Sequence, residues 1–239
     1  MQPTILFDMD GVILDSMPWH VRAWQAALAE FGFSVPEAVL YLHEGAIEPE
    51  TAVAIFDGEG CRMDPADFHR VLERQKAVFA REYRHRVRPY PEVPGLLDRL
   101  EAEGWRMGLV TSSHAEILDQ VLPGEIRRRM RCIVTGERVA RRKPFPDPYL
   151  AAMEALGIGP GGCCVVENAP AGIRAAKAAG LACAAITTTL AAEHLVEADV
   201  VVTSHRALPD RLAGLLALPG EAAGCGVPAG AAGGKAAAG

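Results

Sequence analysis

Six short apolar runs, each ending in polar residues and separated by helix-like stretches, limit what this chain can fold into more than any other feature. The runs are Ile5 to Phe7 ahead of Asp-Met-Asp-Gly, Arg106 to Val110 ahead of Thr-Ser-Ser, and Cys132 to Val134 ahead of Thr-Gly. Cys163 to Val166 precedes Glu-Asn, Ala182 to Ile186 precedes Thr-Thr-Thr, and Val200 to Val202 precedes Thr-Ser. Between them, Pro94 to Glu103, Ala115 to Leu122, Asp147 to Leu156 and Ala171 to Ala179 have the length and Ala/Leu content of amphipathic helices, several closed by glycines at 104, 157 and 180. Strands alternating with helices predict an α/β fold with a parallel sheet covered on both faces. Ligands of such sheets bind beyond the carboxyl ends of the strands, where the polar residues of this chain collect.

Residues 16–88 break the rhythm. They contain helix-like runs at Val21 to Phe31, Pro49 to Asp57 and Pro65 to Tyr83 but no strand, and they follow the first strand directly. This predicts a small all-α cap inserted into a Rossmann-like core made of residues 1–15 and 89–218. Hinges near Asp15 to Pro18 and Val87 to Pro91 would let the cap close over the strand ends as a lid. Residues 219–239 are Gly/Ala-rich with almost no charge and read as a disordered, silent tail.

Composition narrows the function. Half of the 239 residues are hydrophobic and 23% are charged, enough apolar content for a sizeable core. A net charge of -6 disfavours polyanions, so no nucleic-acid partner is expected. The run Arg127, Arg128, Arg129, Arg131 is read as a solvated helix face. Six scattered cysteines without a CxxC pair, and a start that does not read as a secretory leader, point to a reducing cytoplasm and to neither a zinc site nor a disulfide framework. No apolar run is long enough to span a bilayer, so no membrane role is expected. A monomer or weak homo-oligomer is expected.

The chemistry gathers at the strand ends. Asp8 and Asp10 lie two residues apart, so their side chains project in similar directions, and Gly11 permits a sharp exit. A strand-end aspartate can simply cap a helix, but Glu167 and Asn168 end another apolar strand, and a hard cation such as magnesium takes oxygen ligands of this kind. Thr111, Ser112 and Ser113 can donate hydrogen bonds to phosphate oxygens or act as an ordinary N-cap. Lys143, in the Pro-punctuated RRKPFPDPYL, is either an oriented ammonium or a solvated loop lysine. If a carboxylate is to attack phosphate, cations are required: two like unit charges about 4 Å apart repel by roughly 4 kcal/mol at an effective dielectric near 20.

In order and spacing these residues resemble the haloacid dehalogenase superfamily, in its phosphatase and phosphomutase branch. FDMDGVILDS at 7–16, LVTSS at 109–113, RKPFPDPYL at 142–150 and VVENAPAGIRAAKAAG at 165–180 carry the resemblance. It implies Asp8 as the nucleophile that forms an aspartyl-phosphate and Asp10 as the general acid and base. It implies Thr111 and Lys143 as the phosphate-orienting pair, and a Mg2+ site of Asp8, the Asp10 carbonyl, Glu167 and Asn168. Ser112, Ser113, Gly11 and His20 are the expected substrate-binding residues, with His20 either gating Asp10 or packing at the hinge. The fourth motif commonly ends in two acids, whereas this chain has Glu167-Asn168, which predicts weaker magnesium affinity.

The implied activity is Mg-dependent hydrolysis of a small phosphorylated metabolite. Asp10 speaks against the dehalogenase and phosphonoacetaldehyde hydrolase branches, which replace it, and Lys76, the one lysine of the expected cap, is read as a solvated helix residue. The main rival is a beta-phosphoglucomutase, because DSMPWHVRAWQAALAEFGF at 15–33 is similar to that family's lid entrance. Glu48, near the position of the substrate-loop arginine of the mutases, would repel a distal phosphate and favours a phosphatase. A non-catalytic binding protein is the weakest reading. Which of Trp19, His43, Glu44, Glu48 or Tyr83 face the substrate stays open.

Overall fold

A computed structural model of the chain describes residues 2–43, 46–47 and 49–216. Its centre is a sheet of β1 (Thr4–Phe7), β2 (Arg106–Val110), β3 (Met130–Val134), β4 (Cys163–Glu167), β5 (Ala182–Ile186) and β6 (Val200–Val202). Every pairing is parallel and the order is β3-β2-β1-β4-β5-β6. The six-stranded parallel sheet expected from the apolar runs is therefore present, and the order reverses at β1. The chain runs from β1 outward to β2 and β3 and then crosses from β3 to β4 on the other side of β1, which opens a crevice beyond the strand ends there.

The side-chain period of two explains why the strands are apolar throughout. Ile5, Phe7, Met107, Leu109 and Val166 face one layer; Leu6, Val110, Val165 and Cys183 face the other, and all are buried. Covering both faces removes the alternation of polar and apolar residues that a one-sided sheet would show. The first layer is completed by α5 (Val93–Ala102) and α10 (Leu208–Leu215), the second by α8 (Asp147–Leu156) and α9 (Pro170–Ala178). The glycines at 104, 157 and 180 follow helices with φ of 80°, 63° and 75°, the left-handed geometry that ends a helix.

Between β1 and β2 lie α1 (Met17–Glu30), α2 (Glu37–His43), α3 (Pro49–Gly58) and α4 (Pro65–Val78), and no strand among the described residues. These helices surround an apolar cluster of their own in which Trp24 packs on Phe56 and Phe68, each with ring centroids 6.3 Å apart. The two chain connections to the sheet run side by side: Asp15 N donates to Arg88 O at 2.8 Å and Tyr90 N to Ile13 O at 3.1 Å.

Several boundaries differ from expectation. α1 starts four residues early because Pro18 sits in its first turn, where its missing N–H costs nothing. The run from Pro65 stops being α-helical at Val78 and continues as a π turn over Phe79–Tyr83. The short helices α2, α6 (Ala115–Val121) and α7 (Gly124–Arg127) are held by tertiary packing more than by propensity, and α2, α7 and α10 are absent from the sequence reading. The arginine run is not one helix face: Arg127 ends α7 and pairs with Asp119, Arg129 pairs with Asp98 and Glu101, and Arg131 is exposed on the edge strand β3. No helix among the described residues is long and apolar enough to cross a membrane. The expectations for Glu44, Glu48 and the tail at 219–239 lie outside the described residues.

Candidate active site

Asp8 extends β1 by one ladder bond, its N–H donating to Val166 O at 3.0 Å, and its side chain leaves the sheet end almost fully buried. Gly11, at φ 85°, then turns the chain away. It is needed for a second reason, since a Cβ there would overlap the side-chain amide of Asn168. Gly11 serves the backbone: its carbonyl accepts from Thr188 Oγ1, and the residue does not line the cavity described below.

The loop before α8 brings Lys143 among the ends of β1, β2 and β4. The ammonium donates to Asp8 Oδ1 at 2.6 Å, Glu167 Oε1 at 2.7 Å and Val110 O at 3.0 Å. All three of its protons are engaged. Orienting a phosphate, the role implied by the resemblance, would require it to release one of these bonds. Tyr149, buried in α8, donates to the same Glu167 Oε1 at 2.7 Å, and Asn168 N donates to Glu167 Oε2 at 3.1 Å. Gly172 on α9 leaves room for this carboxylate, because a Cβ at that position would overlap it.

Asp10 is held apart from that cluster. Its Oδ1 accepts from Ser16 at 2.6 Å and lies 3.4 Å from His20 Nε2; its Oδ2 accepts from Ser113 Oγ at 2.8 Å and more weakly from Thr111 Oγ1 at 3.4 Å. His20 is both near Asp10 and packed, its ring stacked on Phe79 with centroids 4.0 Å apart. Thr111 also accepts from Ser113 N at 3.0 Å, which makes it the brace of the Thr-Ser-Ser turn, and it does not line the cavity.

The two aspartates are tuned in opposite directions. Burial pushes the Asp8 carboxyl up to about 8; Lys143 opposes this, while repulsion from Glu167 and Asp10 adds to it. Burial would raise Asp10 too, but hydrogen bonding and charge from His20, with the bonds from Ser16 and Ser113, outweigh it and hold its pKa below the usual value. Burial would also lower Lys143, yet Asp8 and Glu167 more than reverse that and keep it an ammonium.

Asp8, Asp10, Ser112, Ser113, Lys143, Glu167 and Asn168 line one side of a cavity of about 310 Å³, and His20 closes toward them from α1. Of the ten expected site residues, only Gly11 and Thr111 stand behind its wall. Trp19, His43 and Tyr83 are not among its lining, and Trp19 stacks on Tyr83 instead. The opposite wall is α4, whose His69, Leu72, Glu73 and Lys76 recur at the three- and four-residue spacing of one helix face. Lys76 is thus a lining residue bonded to Glu73 at 2.8 Å, and not a purely solvated one. That spacing was the available signal. Tyr149 gave none, because a tyrosine in an apolar helix reads as core.

A family profile described as haloacid dehalogenase-like hydrolase matches residues 5–186. Validoxylamine A 7'-phosphate phosphatase of Streptomyces hygroscopicus subsp. limoneus is 32% identical over 84% of this chain and 93% of its own length. Beta-phosphoglucomutase of Bacillus subtilis is 29% identical over 74% of this chain and 80% of its own length. Among solved structures, CbbY from Rhodobacter sphaeroides in complex with phosphate superposes with a TM-score of 0.65 at 26% identity, covering 86% of this chain and 95% of that one.

Proposed function

Because the chain belongs to the haloacid dehalogenase-like hydrolases, as an enzyme of their phosphatase and phosphomutase group, we propose that it hydrolyses a small phosphate monoester through an aspartyl-phosphate on Asp8. The observation that carries the reading is the separation of the two aspartates into different environments around one cavity. Asp8 stands beside a buried ammonium, and Asp10 beside hydroxyl donors and an imidazole.

In the first half-reaction an Asp8 carboxylate oxygen bonds to phosphorus while the bond from phosphorus to the alcohol oxygen breaks, and Asp10 gives that oxygen a proton. In the second, Asp10 takes a proton from water, the water oxygen bonds to phosphorus, and the aspartyl-phosphate bond breaks to free Asp8 and inorganic phosphate. Asp10 rests ionised in the structure, the form the second step requires. An anionic phosphoryl group arriving beside it raises its proton affinity toward what the first step requires. Ser112 and Ser113 face the phosphoryl group.

Magnesium fits the donor set. Among the described residues no three His, Cys, Asp or Glu side chains cluster as a metal site. Asp8 and Glu167 nevertheless converge on one point, the Lys143 ammonium, with the Asp10 carbonyl and the Asn168 amide oxygen nearby in sequence. Magnesium needs only one or two carboxylates, completing its shell with waters and substrate phosphate. When bound it would supply charge that favours ionised Asp8 and offsets the incoming phosphate. Asn168 donates from Nδ2 to Thr189 Oγ1 at 2.9 Å. Replacing it by aspartate adds one charge and loses one donor, so Asn168→Asp is expected to tighten magnesium binding by about tenfold, as titration calorimetry would read. Unchanged affinity would remove Asn168 from the metal site.

Release of phosphate, in preference to its return to a second hydroxyl, is supported by the cap wall. Among the described cap residues that line the cavity the only permanent cation is Lys76, already bonded to Glu73, and Arg142, which lines it from the core, is bonded to His114. The test supplies 4-nitrophenyl phosphate with magnesium and, separately, beta-glucose 1-phosphate with a bisphosphate primer. Inorganic phosphate is expected from the first. Rapid glucose 6-phosphate without net phosphate release from the second would make the protein a mutase.

A further inference from the structure

The buried face of α4 is a stripe of Phe68, Val71, Gln75 and Val78, in which one polar residue interrupts three apolar ones at helical spacing. Gln75 is 6% exposed and lines the cavity; its side-chain amide makes no hydrogen bond to another described residue and is not sealed from the solvent of the cavity. A ligand that displaces this solvent must offer the amide a partner or leave it stranded, a requirement that an apolar residue at this place in the stripe would not impose. Of its neighbours along the helix that share the wall, Leu72 is apolar and the Lys76 ammonium is turned to Glu73.

We infer that Gln75 is a specificity-determining residue whose amide hydrogen-bonds a hydroxyl on the alcohol portion of the substrate. The inference rests on the phosphatase reading above and adds what the far wall recognises. An uncharged amide carries donors and an acceptor, and so matches an alcohol hydroxyl, which also donates and accepts. It offers nothing special to a second phosphate or to an aliphatic chain. The ester selected is therefore a polyol or sugar phosphate carrying a free hydroxyl within reach of α4. A site with a buried polar group discriminates strongly against an analogue lacking the matching group, because binding that analogue strands the group.

The test compares kcat/KM for sorbitol 6-phosphate and hexyl phosphate, chains of equal length with and without hydroxyls. It uses the wild type, Gln75→Met, which keeps length and helix propensity, and Gln75→Leu as a second variant should the first fold poorly, with folding checked by circular dichroism. The wild-type preference for the hydroxylated ester is expected to fall by about tenfold or more in either variant. No preference in the wild type, or an equal preference in all three proteins, overturns the role of Gln75 while phosphate release leaves the enzymatic reading intact. Absence of phosphate release from both esters and from 4-nitrophenyl phosphate would remove the phosphatase reading and this inference with it.

Discussion

Asp8→Asn is expected to abolish magnesium-dependent phosphate release, by roughly 10⁴-fold or more, because an amide oxygen cannot act as the attacking group and no other carboxylate replaces it. Glu167 is occupied by Lys143 and Tyr149, and Asp10 by Ser16 and Ser113. Activity surviving in Asp8→Asn would reject the nucleophile. The same variant carries a stability signature that does not depend on turnover. With its pKa raised to about 8, folded Asp8 keeps a proton that the unfolded chain has released above about 4. Its contribution favours the fold at low pH and is lost as pH rises through about 8. In metal-free protein the melting temperature of the wild type should therefore fall between pH 5 and pH 8.5 more steeply than that of Asp8→Asn. Parallel curves would show that the Asp8 environment is not as desolvated as its burial indicates.

Lys143→Met should be damaging to fold and function together. It leaves the carboxylates of Asp8 and Glu167 buried without their shared ammonium, a kind of change that typically costs about 3–5 kcal/mol. Protonation of Asp8 would moderate the cost below neutral pH, so the loss in melting temperature should be larger at pH 8.5 than at pH 6. Phosphate release should drop by about 10²–10³-fold, the range for removal of one preorganised donor. A divalent cation can substitute for part of the missing charge, so magnesium should raise the melting temperature of Lys143→Met by more than it raises that of the wild type. Equal magnesium shifts, or a variant as stable and active as its parent, would contradict the charge balance on which the site depends.

The two variants separate the roles of neighbouring groups. Asp8 and Lys143 are 2.6 Å apart, so their effects will not add. The double variant should be no less active than Asp8→Asn alone, since the reaction has already lost its attacking group.

The order of strands and helices, the apolar content of each strand and the chain positions of Asp8, Asp10, Thr111, Lys143 and Glu167 were legible in the sequence alone. They are written in local periodicity and short motifs, and backbone hydrogen bonding turns such patterns into elements with little help from distant residues. Short helices such as α2 and α7 were not legible, because their propensity is weak and distant packing holds them. The sequence also could not tell whether Lys143 was a solvated loop residue or a buried ammonium, or show that Tyr149 supports Glu167 and that Thr111 braces a turn behind the cavity. Nor could it place Gln75 and Lys76 on the wall opposite the aspartates. Those assignments arise where loops and helices far apart in sequence close over the sheet ends. There, burial strips water from charges and makes partners of residues more than a hundred positions apart, such as Asp8 and Lys143. Local pattern determines which elements form; desolvation and long-range contact, which only the tertiary structure decides, determine what the side chains at their ends can do.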